Sequence, residues 1–179
     1  SQVIGLDAGH VLLQGGGRVP ADLVIAATGV QPNTVLAQSA AVALGRTGAI
    51  AVNSRMQTNV PGVYAAGDCA ESPHRISGQA CWLPLGDVAN RHGRVAGTNM
   101  AGGTAHFPGV LGTAIFKVFD LAVARTGLGQ EEAMLAGFDA VSAQIQAPSR
   151  ARYMAGSSSL MLSVTAERGT GRLLGAQVV

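Results

Sequence analysis

Val63-Tyr-Ala-Ala-Gly-Asp-Cys-Ala-Glu71 is the stretch whose reading decides the fold. Val63 to Ala66 is a short apolar run between Pro61-Gly62 and Gly67, too short for a helix, and predicts a buried strand. Gly67 removes the side chain where that strand ends, so another backbone or a ligand can approach closely. Asp68 then sets a carboxylate at the carboxyl end of the strand, the edge where open α/β sheets bind ligands. A carboxylate there accepts hydrogen bonds from sugar or polyol hydroxyls. The alternative for Gly67-Asp68 is a plain strand-to-loop turn with a capping Asp.

Composition bounds the rest. The chain has 179 residues, 47% of them hydrophobic and 12% charged, enough for one domain or two small ones with a buried core. Twenty-five glycines predict many tight turns. The net charge is +2 and the basic residues are scattered, which argues against a nucleic-acid footprint. No apolar run reaches the roughly 18 residues that span a bilayer, and no basic start with an apolar middle marks a signal peptide, so none is expected. Cys69 and Cys81 lack a Cys-x-x-Cys spacing and make no metal set, so no metal site is expected. Two cysteines fit a reducing, cytoplasmic compartment, with a disulfide between them as the minor alternative.

Upstream, Gln2–Asp7 and His10–Leu13 read as strands, with Gly15-Gly16-Gly17 turning the second back to pair with the next segment. Asp22–Ala27 is a near-continuous apolar run with β-branched members, the pattern of a strand buried on both faces. Gly29 lets the chain pass close to something, and Pro32 fixes a turn. Thr34–Ala43 predicts a helix capped by Asn33 and ended by Gly45, and Ala49–Val52 a short strand.

Downstream, Leu85–Met100 predicts a helix beginning just after Pro84, with Ala89, Gly93, Ala96 and Gly97 as a close-packing face. His92 reads as a surface residue of that helix, and Trp82 and Cys81 as packing residues. Gly102–Gly109 is a composition break. Beyond it, Thr113–Phe119 and Leu121–Thr126 read as strands, Gln130–Ala136 as a short helix and Ala140–Gln146 as a strand. A hairpin over Leu160–Thr165 and Arg172–Val179 turns at Arg168–Gly171. That order is an α+β pattern with an antiparallel sheet.

Thr58-Asn-Val-Pro-Gly-Val-Tyr-Ala-Ala-Gly-Asp-Cys-Ala-Glu71 resembles the second flavin motif of the FAD-dependent pyridine nucleotide–disulfide oxidoreductases. Ala21-Asp-Leu-Val-Ile-Ala-Ala-Thr-Gly-Val-Gln-Pro-Asn33 resembles the end of the family's NAD(P)H domain. Pro84-Leu-Gly-Asp-Val-Ala-Asn-Arg-His-Gly-Arg94 is similar to the helix that the family aims at the flavin pyrimidine ring. Gly112–Gly127 and Gly171–Val179 look like its dimerisation domain, in the branch of the coenzyme A-disulfide reductases and NADH oxidases.

The resemblance implies the α/β portion of a split nucleotide-binding domain followed by an α+β dimerisation domain. It implies three segments: residues 1–30 as the tail of the NAD(P)H domain, 31–106 as the second segment of the FAD domain, and 107–179 as an incomplete dimerisation domain. No Gly-x-Gly-x-x-Gly fingerprint follows a strand here, so both nucleotide fingerprints and the redox cysteine are expected upstream of Ser1, and no catalytic residue is assigned.

Implied cofactors are FAD and NAD(P)H, with Gly29, Gly67, Asp68, Leu85, Gly86 and Asp87 as cofactor-binding candidates. The positive end of the helix would favour negative charge on reduced flavin. Asp87 departs from the family's small residue and serves equally as a helix-start residue. Asn90 and Arg91 match positions near a coenzyme A nucleotide in that branch, Arg suiting phosphate; a solvated or ion-paired Arg91 is the alternative. Tyr153 matches the first tyrosine of the branch's Tyr-Tyr-Pro-Gly, although Met154 and Ala155 depart from it and a loop tyrosine is the other reading.

The implied activity passes hydride from NAD(P)H through FAD to a cysteine-based centre, then to a disulfide, persulfide or oxygen species, in a homodimer with no membrane or nucleic-acid partner. The alternatives are a ferredoxin- or rubredoxin-type reductase and a non-catalytic dimerisation fragment.

Overall fold

The computed structural model describes residues 2–179, in two compact units, Ser1–Gln31 and Pro32–Val179. The first unit is an antiparallel meander of β1 (Val3–Asp7), β2 (His10–Leu13) and β3 (Arg18–Pro20), in the order β1-β2-β3. The turn back after β2 runs through Gly15 and Gly16, as their sequence predicts, and an Arg18–Asp7 ion pair at 2.7 Å links the start of β3 to the end of β1. Residues 22–27 correct an expectation: they form no strand, and Leu23 and Ile25 are 80% and 82% exposed. An apolar run becomes a buried strand only when neighbouring strands take its N–H and C=O groups, and none runs beside it among the described residues.

The second unit opens with α1 (Val35–Ser39), shorter than its sequence suggests. Thr34, not Asn33, stands at its N-cap, and Ala41 turns left-handed at φ +57°, ending the helix before Gly45. Residues 49–52 and 63–66 are held by isolated bridges rather than full strands: Ile50 pairs antiparallel with Leu44 and parallel with Ala70, and Tyr64 pairs with Gln57. Around these bridges Val42, Ile50, Ala65 and Ala70 close a small core. The segment 63–66 therefore keeps the expected burial at Ala65 without the expected sheet.

Ser72–Pro73 (β4) and Ala80–Cys81 (β5) make a two-rung antiparallel ladder. Then comes α2 (Gly86–Met100), whose buried residues Val88, His92, Ala96 and Asn99 follow the helical repeat. Val88 and Ala96 pack with Met56, Phe107 and Val110. The small-residue face is only half as expected, because Gly93 and Gly97 are exposed with open space beside them while Ala96 is buried. Asn99 pins the helix end: its side-chain amide donates to the carbonyls of Arg55 and Ala105 and accepts from the Ala105 N–H.

The remainder is the α+β part. β6 (Ala114–Val118), β7 (Leu121–Gly127), β8 (Ala140–Pro148), β9 (Ser159–Glu167) and β10 (Leu173–Val178) form an antiparallel sheet in the order β6-β7-β10-β9-β8. α3 (Gln130–Leu135) packs against β8, with Glu132 reaching back to accept from the Gly129 N–H at 2.7 Å. Leu128, Ala133, Ala140 and Leu174 form the core here, and Ile76, from the loop between β4 and β5, packs into it. That contact joins the segment carrying the Gly67-Asp68 motif to the sheet.

Candidate functional site at the Gly67-Asp68 turn and the start of α2

After Ala66 the chain tightens into a single 3-10 turn over Gly67–Cys69, closed by the Ala70 N–H donating to the Gly67 carbonyl at 3.1 Å. Gly67 has φ +82°, a conformation that disfavours any side chain. A methyl group there would also lie 3.7 Å from the Ala89 side chain, so the turn rests against α2. Asp68 is exposed, and its carboxylate has no hydrogen-bond partner among the described residues. Its main-chain carbonyl is held by the Trp82 indole N–H at 2.7 Å.

Leu85, the residue before α2, is extended (φ −122°, ψ 137°), and no side chain caps the helix. The first N–H groups of α2 are therefore free to meet a negatively polarised ligand. Gly86 and Asp87 are exposed in this first turn. Leu85 walls two clefts. The smaller, about 110 Å³, adds Asp87, Arg91 and Arg75. The larger, about 450 Å³, adds Cys81, Leu83, Arg125 and Glu132.

Asn90 and Arg91 are exposed; the Arg91 guanidinium lies over the Phe107 ring, 5.2 Å from its centroid, and makes no ion pair among the described residues. Tyr153 is 91% exposed in the β8–β9 connection and lines neither cleft. Gly29, at φ +88°, belongs to the first unit. Gly67 thus rests beside the start of α2, where Leu85, Gly86 and Asp87 lie; Arg91 lines the smaller cleft with Leu85 and Asp87, and Asn90 and Tyr153 line neither cleft.

Both cysteines are free thiols. Burial pushes the Cys81 thiol above its ordinary 9.0, with the Glu71 charge adding to the rise and Arg46 opposing it. Cys81 donates to the Ser72 carbonyl, and Cys69 donates to the Ala66 carbonyl.

His92 corrects an expectation: it is fully buried, not a surface residue. Its Nε2 lies 3.0 Å from the Ser72 hydroxyl, and its ring meets Phe107 edge-on at 4.4 Å between centroids. Burial lowers its pKa below the ordinary 6.5, the Gly67 backbone works against that shift, and the Arg91 charge adds to it. Sequence spacing carried the signal, since His92 falls four residues from both Val88 and Ala96 on the apolar stripe. Trp82 and Ser72 carried no such signal, because their bonds depend on loop geometry.

Residues 1–93 match the pyridine nucleotide-disulphide oxidoreductase family, and residues 113–179 match that family's dimerisation domain. The chain belongs to the pyridine nucleotide-disulphide oxidoreductases. It is 48% identical over 163 residues to a NAD(P)H coenzyme A polysulfide/persulfide reductase of Pyrococcus horikoshii, a match over 91% of this chain and 37% of that protein. A coenzyme A disulfide reductase of Staphylococcus aureus is 31% identical, over 99% of this chain and 40% of that protein. Among solved structures, a NAD-dependent persulfide reductase from A. fulgidus superposes with a TM-score of 0.88 at 42% identity, over 95% of this chain and 32% of that one. The chain therefore spans well under half the length of the oxidoreductases it matches. No helix among the described residues is long and apolar enough to cross a membrane.

Proposed function

We propose that this chain supplies part of the FAD site and the dimerisation region of an NAD(P)H-dependent flavoprotein oxidoreductase. The observation that carries the reading is the unpaired Asp68 carboxylate, presented on a glycine turn packed against α2, whose first N–H groups are uncapped. One acceptor and a set of free donors suit a ligand that has both hydroxyls and negatively polarised carbonyl or phosphate oxygens, as FAD does.

In this reading Asp68 accepts from a polyol hydroxyl, Gly67 lets the ligand approach the backbone, and Leu85, Gly86 and Asp87 present the helix start. Gly29 is the cofactor-binding candidate of the first unit. FAD, when bound, supplies the two-electron chemistry that no side chain provides. The protein's part is to hold it, orient it and bias its charge: the positive end of α2 favours the reduced, anionic form, and the Asp87 carboxylate tempers that bias. NAD(P)H is the proposed hydride source, and its electron pair would pass by way of the flavin and a cysteine-based centre to the acceptor, a disulfide, persulfide or oxygen species. Similarity to coenzyme A-linked reductases supports a coenzyme A-linked substrate, with Asn90, Arg91 and Tyr153 as its candidate contacts.

The partner is a second copy. The match to a dimerisation domain and the exposed apolar side chains Ile115, Phe116 and Phe119 at the β6–β7 end of the sheet support it. Two free thiols suit a reducing, cytoplasmic setting. In this reading residues 1–30 are the tail of the NAD(P)H domain, 31–106 the second segment of the FAD domain and 107–179 the dimerisation domain.

The test is the visible spectrum of the protein produced with ample riboflavin, beside Asp68→Asn. A yellow protein that loses flavin in the variant supports the reading. A colourless protein that still forms a dimer favours a dimerisation module instead.

A further inference from the structure

Among the ionisable side chains of α2, His92 alone is buried, at 0% exposure, while Asp87, Arg91 and Arg94 are exposed. Its surroundings are half apolar, half polar. Phe107 meets the ring edge-on, and the Ser72 hydroxyl lies 3.0 Å from Nε2. Nδ1 is fully enclosed and has no hydrogen-bond partner among the described residues. An enclosed, unpaired ring nitrogen is costly, so a fold that keeps one calls for a reason.

Position suggests the reason. Ser72 heads β4, the strand that leaves the Gly67-Asp68 turn, and its carbonyl also takes the Cys81 thiol proton. Gly67 itself rests on Ala89 of α2, whose side chain would lie 3.7 Å from a methyl group on it. The stretch Ala89–His92 of α2 thus meets both ends of the segment that presents Asp68, Ala89 at Gly67 and His92 at Ser72. With the Ser72 hydroxyl donating to Nε2, the ring is neutral and its proton sits on Nδ1.

We infer that His92 is a positioning residue for the FAD site: as a neutral imidazole it holds Ser72, and through it the Gly67-Asp68 turn, against α2, so that the Asp68 carboxylate and the free N–H groups at the helix start are presented together. This rests on the FAD reading proposed above. His92 touches no ligand itself; it acts through the turn. Arg91, the cation next to it in sequence, faces outward over Phe107 and opposes a second positive charge beside it.

The experiment is FAD binding to the purified protein, read by flavin fluorescence and by the visible circular dichroism of the bound flavin, in wild type, Ser72→Ala, His92→Gln and His92→Leu. His92→Leu is expected to weaken binding about tenfold or more and to change the dichroism. His92→Gln, whose amide both donates and accepts, stays within about threefold of wild type, and Ser72→Ala falls between. If wild type is yellow and every variant matches it in affinity and dichroism, the inference is overturned, even where the thermal midpoint falls. If His92→Leu fails to fold, the other two variants decide: Ser72→Ala binding as wild type does overturns it. A wild-type protein that takes up no FAD overturns the FAD reading and this inference with it, a result distinct from flavin binding that the variants leave unmoved.

Discussion

Trp82 donates its indole N–H to the main-chain carbonyl of Asp68 at 2.7 Å, across 14 residues of sequence. The bond fixes the backbone of the very residue whose side chain is left free, so the carboxylate keeps its direction without being consumed by a partner. Trp82→Phe keeps the ring and removes the donor. The expected cost is about 0.5–1.5 kcal/mol of stability, with flavin binding weakened several-fold. Thermal unfolding and a flavin titration on the same preparation check both.

Gly127 closes β7 at φ +66°, and a methyl group there would stand 2.2 Å from the Leu174 carbonyl oxygen and 2.8 Å from the Gly175 Cα. Both obstacles are backbone of β10, the neighbouring strand, and neither can rotate away. Gly127→Ala is therefore expected to cost more than about 2 kcal/mol, more than a surface Gly→Ala change. Leu174→Ala, which empties a fully buried position in the same core, is expected to cost about 2–5 kcal/mol. Urea unfolding midpoints measure the two.

Glu132 carries the pH dependence of this corner. Burial works to raise its pKa, but hydrogen bonds from Arg125 and the Gly129 N–H, with the charges of Arg125 and His74, outweigh it and hold the carboxyl below its ordinary 4.5. A depressed folded-state pKa means that the stability from Glu132 is fully present above about pH 4.5 and is lost as the pH falls through the lower, folded-state value. The stability gap between wild type and Glu132→Gln is expected to be constant from pH 7 to about pH 5 and to narrow below that. A gap that widens in acid would contradict the assignment. The site is partly exposed, so the gap is also expected to shrink in high salt.

Cys81 is expected to react slowly. Its pKa is raised by burial, so less of it is thiolate at neutral pH than in a free cysteine. Alkylation by iodoacetamide near pH 8, followed by peptide mass spectrometry, is expected to modify Cys81 well below the rate of a free thiol and to speed up as the pH rises.

Phe119, 93% exposed at φ +50° on the tip between β6 and β7, is a test of the second-copy reading. A bulky apolar side chain in a left-handed conformation is costly unless something covers it. Phe119→Ser is expected to shift a dimer toward monomer in analytical ultracentrifugation without lowering the thermal midpoint of the monomer.

Local order was legible from the amino acids alone wherever short-range chemistry decides it. The α2 helix from Gly86, the short α3, and the strands of the five-stranded sheet follow from periodicity and from glycines at turns, and their bounds agree to within a few residues. The Gly67-Asp68 turn was legible for the same reason, since a glycine at positive φ next to a carboxylate is a local instruction. Tertiary structure decided what depends on a partner. Residues 22–27 have a strand's composition and yet form no strand, because β structure needs a second chain segment to take its hydrogen bonds and none runs beside them among the described residues. His92 became a buried tie because Ser72 and Phe107, 20 residues upstream and 15 downstream, fold against α2, and a side chain's burial is set by what packs on it rather than by its own polarity.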